Sequence, residues 1–179
     1  FSSSSGTTVV DKIAGNNIRL LNTPSYKTDF LLGAARFNGV NQYGIASDID
    51  NAVLGNHGFT IAAWIKENSS SATDQPLIAN EAALTNRGFF MQQNGGGGSI
   101  IARIYNNSGT DFNRAIGYAS TTYRLLILTY NGTGTVMNAY VNNTGIGQIA
   151  MSRYGKSNSS FLIGRRNATA DYSNFMVAQ

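Results

Sequence analysis

Cysteine is absent from this 179-residue chain, which removes disulfides, thiolate metal sites and cysteine nucleophiles together. Histidine occurs once, as His57, and glutamate twice, as Glu67 and Glu81. A serine–histidine–acid relay would have to run through His57 in the turn 55–58, and no neighbouring serine carries a nucleophile motif. His57 is therefore read as an exposed turn residue. Paired-carboxylate chemistry needs two acids held roughly 5–9 Å apart. The two glutamates stand in or beside predicted loops, and Asp48 and Asp50 form an i, i+2 pair in another loop without a glutamate partner. These shortages point away from an enzyme.

Charge is also scarce: 12% of residues are Asp, Glu, Lys or Arg, about half the usual share. Surface helices normally carry Glu and Lys, so their scarcity disfavours helices. The net charge of +4 comes from 13 Lys and Arg against 9 Asp and Glu. The arginines are scattered, with Arg165-Arg166 the one adjacent pair, and no basic stripe for nucleic acid emerges. The glycine run 95–98 lacks the Gly-Lys-Ser/Thr ending of a phosphate loop and precedes a predicted strand rather than a helix. No apolar run is long enough for a transmembrane helix, so membrane insertion is not expected. Phe1–Gly6 is serine-rich and shows neither the basic nor the apolar region of a signal peptide.

What the chain does contain is 42% hydrophobic residues and 20 glycines, set among many Asn, Ser and Thr. That is enough apolar material for one globular core without staples. We expect a flexible lead over residues 1–8 and a single domain over 9–179. The segment 58–66, GFTIAAWIK, alternates strictly: Phe59, Ile61, Ala63 and Ile65 fall on one face, Thr60, Ala62 and Trp64 on the other. Period two with β-branched and aromatic residues predicts a strand. Both faces are largely apolar, so the strand is expected at the centre of a sheet or covered on both sides, with Trp64 in the core.

Similar short runs recur between turn signals. Strands are predicted at 8–11, 16–21, 43–46, 76–80, 88–93, 100–105, 114–118, 123–130, 136–141, 146–151, 160–164 and 174–178, with a helical turn near 48–54. Asn38-Gly39 and Asn131-Gly132 mark tight turns. The fold class this implies is all-β, an antiparallel two-sheet sandwich.

Four segments in order resemble the laminin G-like domains of the concanavalin A-like lectin/glucanase superfamily. They are Val10-Asp11 with Gly15-Asn16-Asn17 ahead of RFNGVNQY (36–43); GFTIAAWIK (58–66); LTYNGTGTVMNAYVN (128–142); and FLIG (161–164) with YSNFMV (172–177). The resemblance implies a jelly-roll sandwich. Some members of the superfamily are glycoside hydrolases, but their Glu-x-Asp-x-Glu strand is missing here. Tyr123-Arg124 also stands where many members carry Trp and His.

The resemblance further implies a rim that holds Ca²⁺ in many relatives. Candidate oxygen donors are Asp48, Asp50, Asp74, Asp111 and Asp171, each in a predicted loop, although short loop acids also serve turns and no single metal ligand stands out. Sugar sites in such sandwiches use aromatic platforms. Tyr105, Tyr118, Tyr154 and Tyr172 lie near predicted strand ends or loops and are the candidate ligand-binding residues; the competing reading has them packing on the sheet. Asn-x-Ser/Thr sequons at Asn68, Asn106, Asn131, Asn142, Asn158 and Asn167 are expected by chance in so Asn-rich a chain.

The expected function is a non-catalytic module recognising a glycan or surface receptor. The composition is similar to laminin G-like domains displayed on bacteriophage virions as decorations or fibres. The alternative is a structural unit packing on a capsid or filament, joined to a protein scaffold and in contact with copies of itself. Glycoside hydrolysis is the remote third. A virion or another extracellular surface is the expected location.

Overall fold

The computed structural model describes residues 7–10, 15–28, 33–46, 58–67, 73–82, 87–96, 98–106, 108–118, 120–132, 136–150, 159–166 and 175–178. Among them lie β1 (Thr8–Val9), β2 (Ile18–Leu21), β3 (Ser25–Lys27), β4 (Ala34–Arg36), β5 (Tyr43–Ala46), β6 (Phe59–Glu67), β7 (Gln75–Ala82) and β8 (Arg87–Gln93). The order continues with β9 (Ser99–Tyr105), β10 (Asp111–Tyr118), β11 (Arg124–Tyr130), β12 (Val136–Val141), β13 (Thr144–Ala150), β14 (Phe161–Ile163) and β15 (Phe175–Ala178). One sheet has eight strands in the order β1-β2-β5-β14-β7-β8-β9-β10, the other seven in the order β13-β12-β11-β6-β15-β4-β3. Every neighbouring pair is antiparallel, as the alternating sequence requires.

The sheets meet through the alternate residues of their inner faces. Phe59, Ile65, Leu126, Leu128, Tyr130, Met137 and Ala139 come from the seven-stranded sheet; Ile78, Phe89, Met91, Ile100, Ala102, Ile104 and Ile116 come from the other. Phe59 and Phe89 stack across the gap with centroids 5.8 Å apart. The expected sandwich is what the chain forms.

β6 sits in mid-sheet between β11 and β15, as its pattern predicted. It is covered on one face only, however: Thr60 and Ala62 are exposed, and Trp64 is half-buried on the outer face against Ala34 and Tyr123. Trp64 is therefore not a residue of the sandwich core. The outer face of a sandwich sheet meets water, and here its apolar members form a small separate cluster. β3 and β4 were not expected as strands, being three-residue elements with little alternation to show. Glu67, expected in or beside a loop, instead ends β6 on the inner face at 1% exposure, 3.0 Å from Arg124. The expected helical turn near 48–54 lies outside the described residues.

A two-residue turn joins the β12–β13 hairpin. Asn142 and Asn143 join β12 to β13 with φ of 48° and 67°, the paired left-handed conformations of a twist-matched hairpin, which Asn tolerates. Asn142 Oδ1 also accepts the Leu125 N–H at 3.0 Å. Gly147, at φ 138°, lies so close to the Arg114 guanidinium that a Cβ would fall 2.7 Å from it. Through that gap Arg114 donates to the carbonyls of Gln148 (3.3 Å) and Ile146 (3.5 Å), tying edge strand β10 to edge strand β13.

One inner-face group stands out. Gln93 is fully buried, and both its amide nitrogen and its amide oxygen lack hydrogen-bond partners. A buried unsatisfied amide is costly, and an unbranched apolar replacement of similar volume removes that cost. Gln93→Met is expected to raise the unfolding free energy by about 1–3 kcal/mol, measured by urea denaturation. An unchanged or lower midpoint would count against this account of the site.

Candidate functional site

The eight-stranded sheet carries a second apolar cluster on the face turned away from the sandwich core, formed by Ala79, Phe90, Ile101, Tyr105 and Leu162 with Tyr43 and Ile45 packed against it. Strand register explains why. Arg19 opposes Ile45, Ile45 opposes Leu162, Leu162 opposes Ala79, Ala79 opposes Phe90, Phe90 opposes Arg103 and Arg103 opposes Asn113. A single row thus crosses seven strands, apolar in the middle and cationic towards both ends.

Arginine side chains lie on the aromatic rings of this face. The guanidinium carbon of Arg166 is 3.9 Å from the Phe90 centroid, and that of Arg103 is 5.3 Å from it. Arg165 lies 4.9 Å above the Tyr43 ring. The three arginines are neither buried nor fully exposed. At these separations the ring quadrupole attracts each cation, and the planar guanidinium lies well on a ring face.

A polar chain anchors the arrangement. Arg166 Nη1 donates to Gln92 Oε1 at 3.0 Å. Gln92 Nε2 donates to Asp74 Oδ2 at 2.8 Å and to Asn94 Oδ1 at 3.0 Å. The other Asp74 oxygen accepts the Gly95 N–H at 2.9 Å. The turn after β8 is thereby fastened to the cation on Phe90.

Beside this face a polar loop is held rigid. Asn38 Oδ1 accepts the N–H groups of Val40, Asn41 and Gln42. Gln42 Nε2 donates to the carbonyls of Asn22 and Thr23. Val40 rides at the tip, 70% exposed.

The two described candidate tyrosines, Tyr105 and Tyr118, do not converge. Tyr105 is buried at the end of β9, its ring 6.5 Å from Phe90. Tyr118 ends β10 opposite Ser99, whereas Tyr105 opposes Asp111 at the start of β10. Seven residues of strand separate the two, about 23 Å at 3.3 Å per residue. Tyr154 and Tyr172 lie outside the described residues. So do the candidate metal donors Asp48, Asp50 and Asp171, and His57. Asp111 opens a strand rather than a loop, and both oxygens of Asp74 already accept hydrogen bonds. Among the described residues no group of three or more His, Cys, Asp or Glu gathers to hold a metal ion. Of the acids, Glu67 is buried and committed to Arg124, and Glu81 lies within β7.

Sequence reasoning missed Phe90, Arg103, Arg165, Arg166 and Gln92. A signal was present: Arg103 interrupts an otherwise apolar strand, and Arg165-Arg166 follows FLIG directly.

Two antiparallel sheets enclosing an apolar core define a two-layer β-sandwich. The chain belongs to the laminin G-type family of the concanavalin A-like lectin/glucanases superfamily, whose profile matches residues 38–179. No curated protein matches the chain. Among solved structures, the binding domain of Paraclostridial mosquitocidal protein 1 superposes with a TM-score of 0.75 at 15% identity, covering 92% of this chain and 43% of that one. A botulinum neurotoxin type C structure, concerned with cell entry through two ganglioside molecules, gives 0.72 at 17%, covering 98% and 45%. The binding domain of botulinum neurotoxin DC in complex with rat synaptotagmin II gives 0.70 at 15%, covering 96% and 46%. This chain thus spans less than half the length of each. At these identities the likeness is one of fold. Among the described residues no helix is long and apolar enough to cross a membrane.

Proposed function

We propose that this chain is a non-catalytic binding module that recognises carbohydrate or a glycan-bearing surface through the outer face of its eight-stranded sheet. The observation that carries this reading is the set of arginines laid over Phe90 and Tyr43 and tied to Gln92 and Asp74. Preset polar donors on a rigid sheet suit recognition, because little side-chain freedom remains to be lost on binding. Membership of a superfamily that includes lectins, and fold neighbours that are toxin binding domains, support the same reading. Residues 9–179 act as one unit, and Tyr118, Tyr154 and Tyr172 remain candidate ligand contacts, with Tyr105 supporting Phe90 from within the cluster. A bound Ca²⁺ at the rim and display on a virion or another extracellular surface belong to the proposal.

A glycan array probed with labelled protein, with and without Ca²⁺, tests it. Millimolar or tighter binding to some glycan, with no release of reducing sugar on prolonged incubation, is the expected result. Binding to none of the arrayed sugars, or cleavage of one, would defeat it.

A second reading has the chain decorating a capsid or filament, held by a protein scaffold or by copies of itself. The outer face of the seven-stranded sheet favours it. There Tyr140 opposes Ile127, Ile127 opposes Ala62, and Leu125 opposes Trp64, giving a partly apolar surface. Loss of particle incorporation by Ile127→Lys, with glycan binding intact, would support that role.

A further inference from the structure

Resting on the second reading above, the geometry points to an acidic protein surface, and not a second copy of this chain, as the partner of the seven-stranded sheet's outer face. Alternation fixes what that face carries. Tyr26, Ala35, Phe37, Ile65 and Leu126 pack in the sandwich core, so Lys27, Ala34, Arg36, Trp64, Lys66 and Leu125 turn outward. Lys27 opposes Ala34 across the β3–β4 ladder. β15 lies between β4 and β6, where Ala34 and Trp64 share the partner Ala178, and Arg36 and Lys66 share Met176. Two adjacent rows result, one holding Lys27, Ala34 and Trp64 and the other Arg36 and Lys66. Two strand spacings, about 10 Å, separate the backbones of Arg36 and Lys66. Lys27 is exposed and the other two cations are half-buried. Lys66 Nζ lies 5.3 Å from the Tyr123 ring centroid.

No acid on this face answers them. In the seven strands the one acid among the described residues is Glu67, which faces the core and is committed to Arg124. The outer face therefore carries a positive field, which acts through summed charge and not through any single N–H donor. Beside the cations the surface turns apolar. Trp64 and Tyr123 cluster on Ala34, and Leu125, Ile127 and Tyr140 continue the strip across β11 and β12. An apolar centre with a charged margin is how protein–protein contacts are built. Two copies apposed through this face would bring like charges together, on a chain whose net charge is +4, and that opposes association. A glycan or a nucleic acid would answer the cations but set polar groups against Leu125 and Ile127. An acidic protein surface answers both, with carboxylates for the margin and apolar side chains for the strip.

The test titrates the whole chain with a random copolymer of glutamate and tyrosine, which offers carboxylates together with apolar side chains. A heparin-derived tetrasaccharide and a dT oligomer serve as other anions. Wild type is compared with Ile127→Gln and with the double variant Lys27→Gln, Arg36→Gln, thermal melting confirming that each folds. We expect the copolymer to bind wild type, with affinity falling between about 50 and about 500 mM NaCl as the charges are screened. The double variant should bind about fivefold more weakly and depend less on salt. Ile127→Gln should lose about fivefold through the apolar strip. A loss in Ile127→Gln alone would overturn the acidic partner and leave the docking reading standing. A loss in neither would overturn both. A loss in the double variant alone would mean attraction of any polyanion and overturn the protein assignment. So would tighter binding of the tetrasaccharide or the dT oligomer, weakened by both changes. Sedimentation velocity in the lower salt reads the remaining case: self-association abolished by Ile127→Gln would make a second copy the partner and overturn the acidic one.

Discussion

Glu67→Ala is expected to lower the unfolding free energy by about 3–5 kcal/mol, measured by urea denaturation against wild type. The carboxylate is 1% exposed. It accepts Arg124 Nη2 at 3.0 and 3.3 Å and the Ser120 N–H at 2.8 Å. The Glu67 backbone N–H donates in turn to the Ser120 carbonyl at 3.0 Å. One residue therefore clamps the end of β6 to the start of β11 and neutralises a guanidinium that is only 11% exposed. Removing the anion leaves that cation buried without its partner, the costly half of a buried ion pair. The double variant Glu67→Met with Arg124→Met is expected to recover most of the loss, because replacing a whole buried pair by apolar side chains is often close to neutral. If Glu67→Ala costs less than about 1 kcal/mol, the pair behaves as a surface salt bridge and the clamp is not structural.

Why that pair escaped the sequence is a matter of distance along the chain. Glu67 stands before a run of Asn and Ser, where a carboxylate is ordinarily solvated, and Arg124 is 57 positions away. Alternation identifies which residues of a strand share a face, but not which strand lies beside it. It therefore revealed the cores of β6, β8, β9, β11 and β12 and the sandwich they build, because burying alternate apolar residues needs no knowledge of the partner. It misjudged Trp64, whose large ring suggests burial but whose parity puts it opposite the inner residues Ile61, Ala63 and Ile65. The parity was legible, and of the two placements that the apolar faces of β6 allowed, mid-sheet or covered on both sides, the chain forms the first. The proposed binding face was harder still. Arg166 meets Gln92 across 74 residues, and the β14–β7 and β7–β8 pairings that bring them together leave no local trace. The tyrosines drew attention because aromatic residues at strand ends are visible in sequence, whereas a guanidinium laid over a buried phenylalanine is visible only once the sheet is assembled.

Phe89 and Phe90 are adjacent in β8 and point to opposite faces, so their substitution separates stability from recognition. Both are fully buried. Phe89 packs in the sandwich core, 5.8 Å from Phe59 and 6.4 Å from Phe161 between ring centroids. Phe89→Ala should cost about 3–5 kcal/mol, a fall of about 2–4 °C in Tm for each kcal/mol in a chain of this size. Ligand affinity of the protein that remains folded should be unchanged. Phe90→Ala removes a comparable volume from the outer cluster and is expected to destabilise by a similar amount. In addition, it withdraws the surface on which Arg166 and Arg103 lie. The freed guanidiniums regain rotamer freedom that binding must then remove, at about 0.5–1.5 kcal/mol for each side chain. Two of them give roughly 1–3 kcal/mol, which is about five- to 150-fold in affinity. Phe90→Leu keeps most of the volume but supplies no π face, so it should retain more stability than Phe90→Ala while losing a similar share of binding. Titration at a temperature well below each variant's Tm reads the two effects separately. A folded Phe90→Leu protein that binds its glycan as tightly as wild type would remove the aromatic-backed arginines from the site. Parallel losses of stability and affinity in Phe89→Ala would show that recognition follows overall fold integrity and not this face.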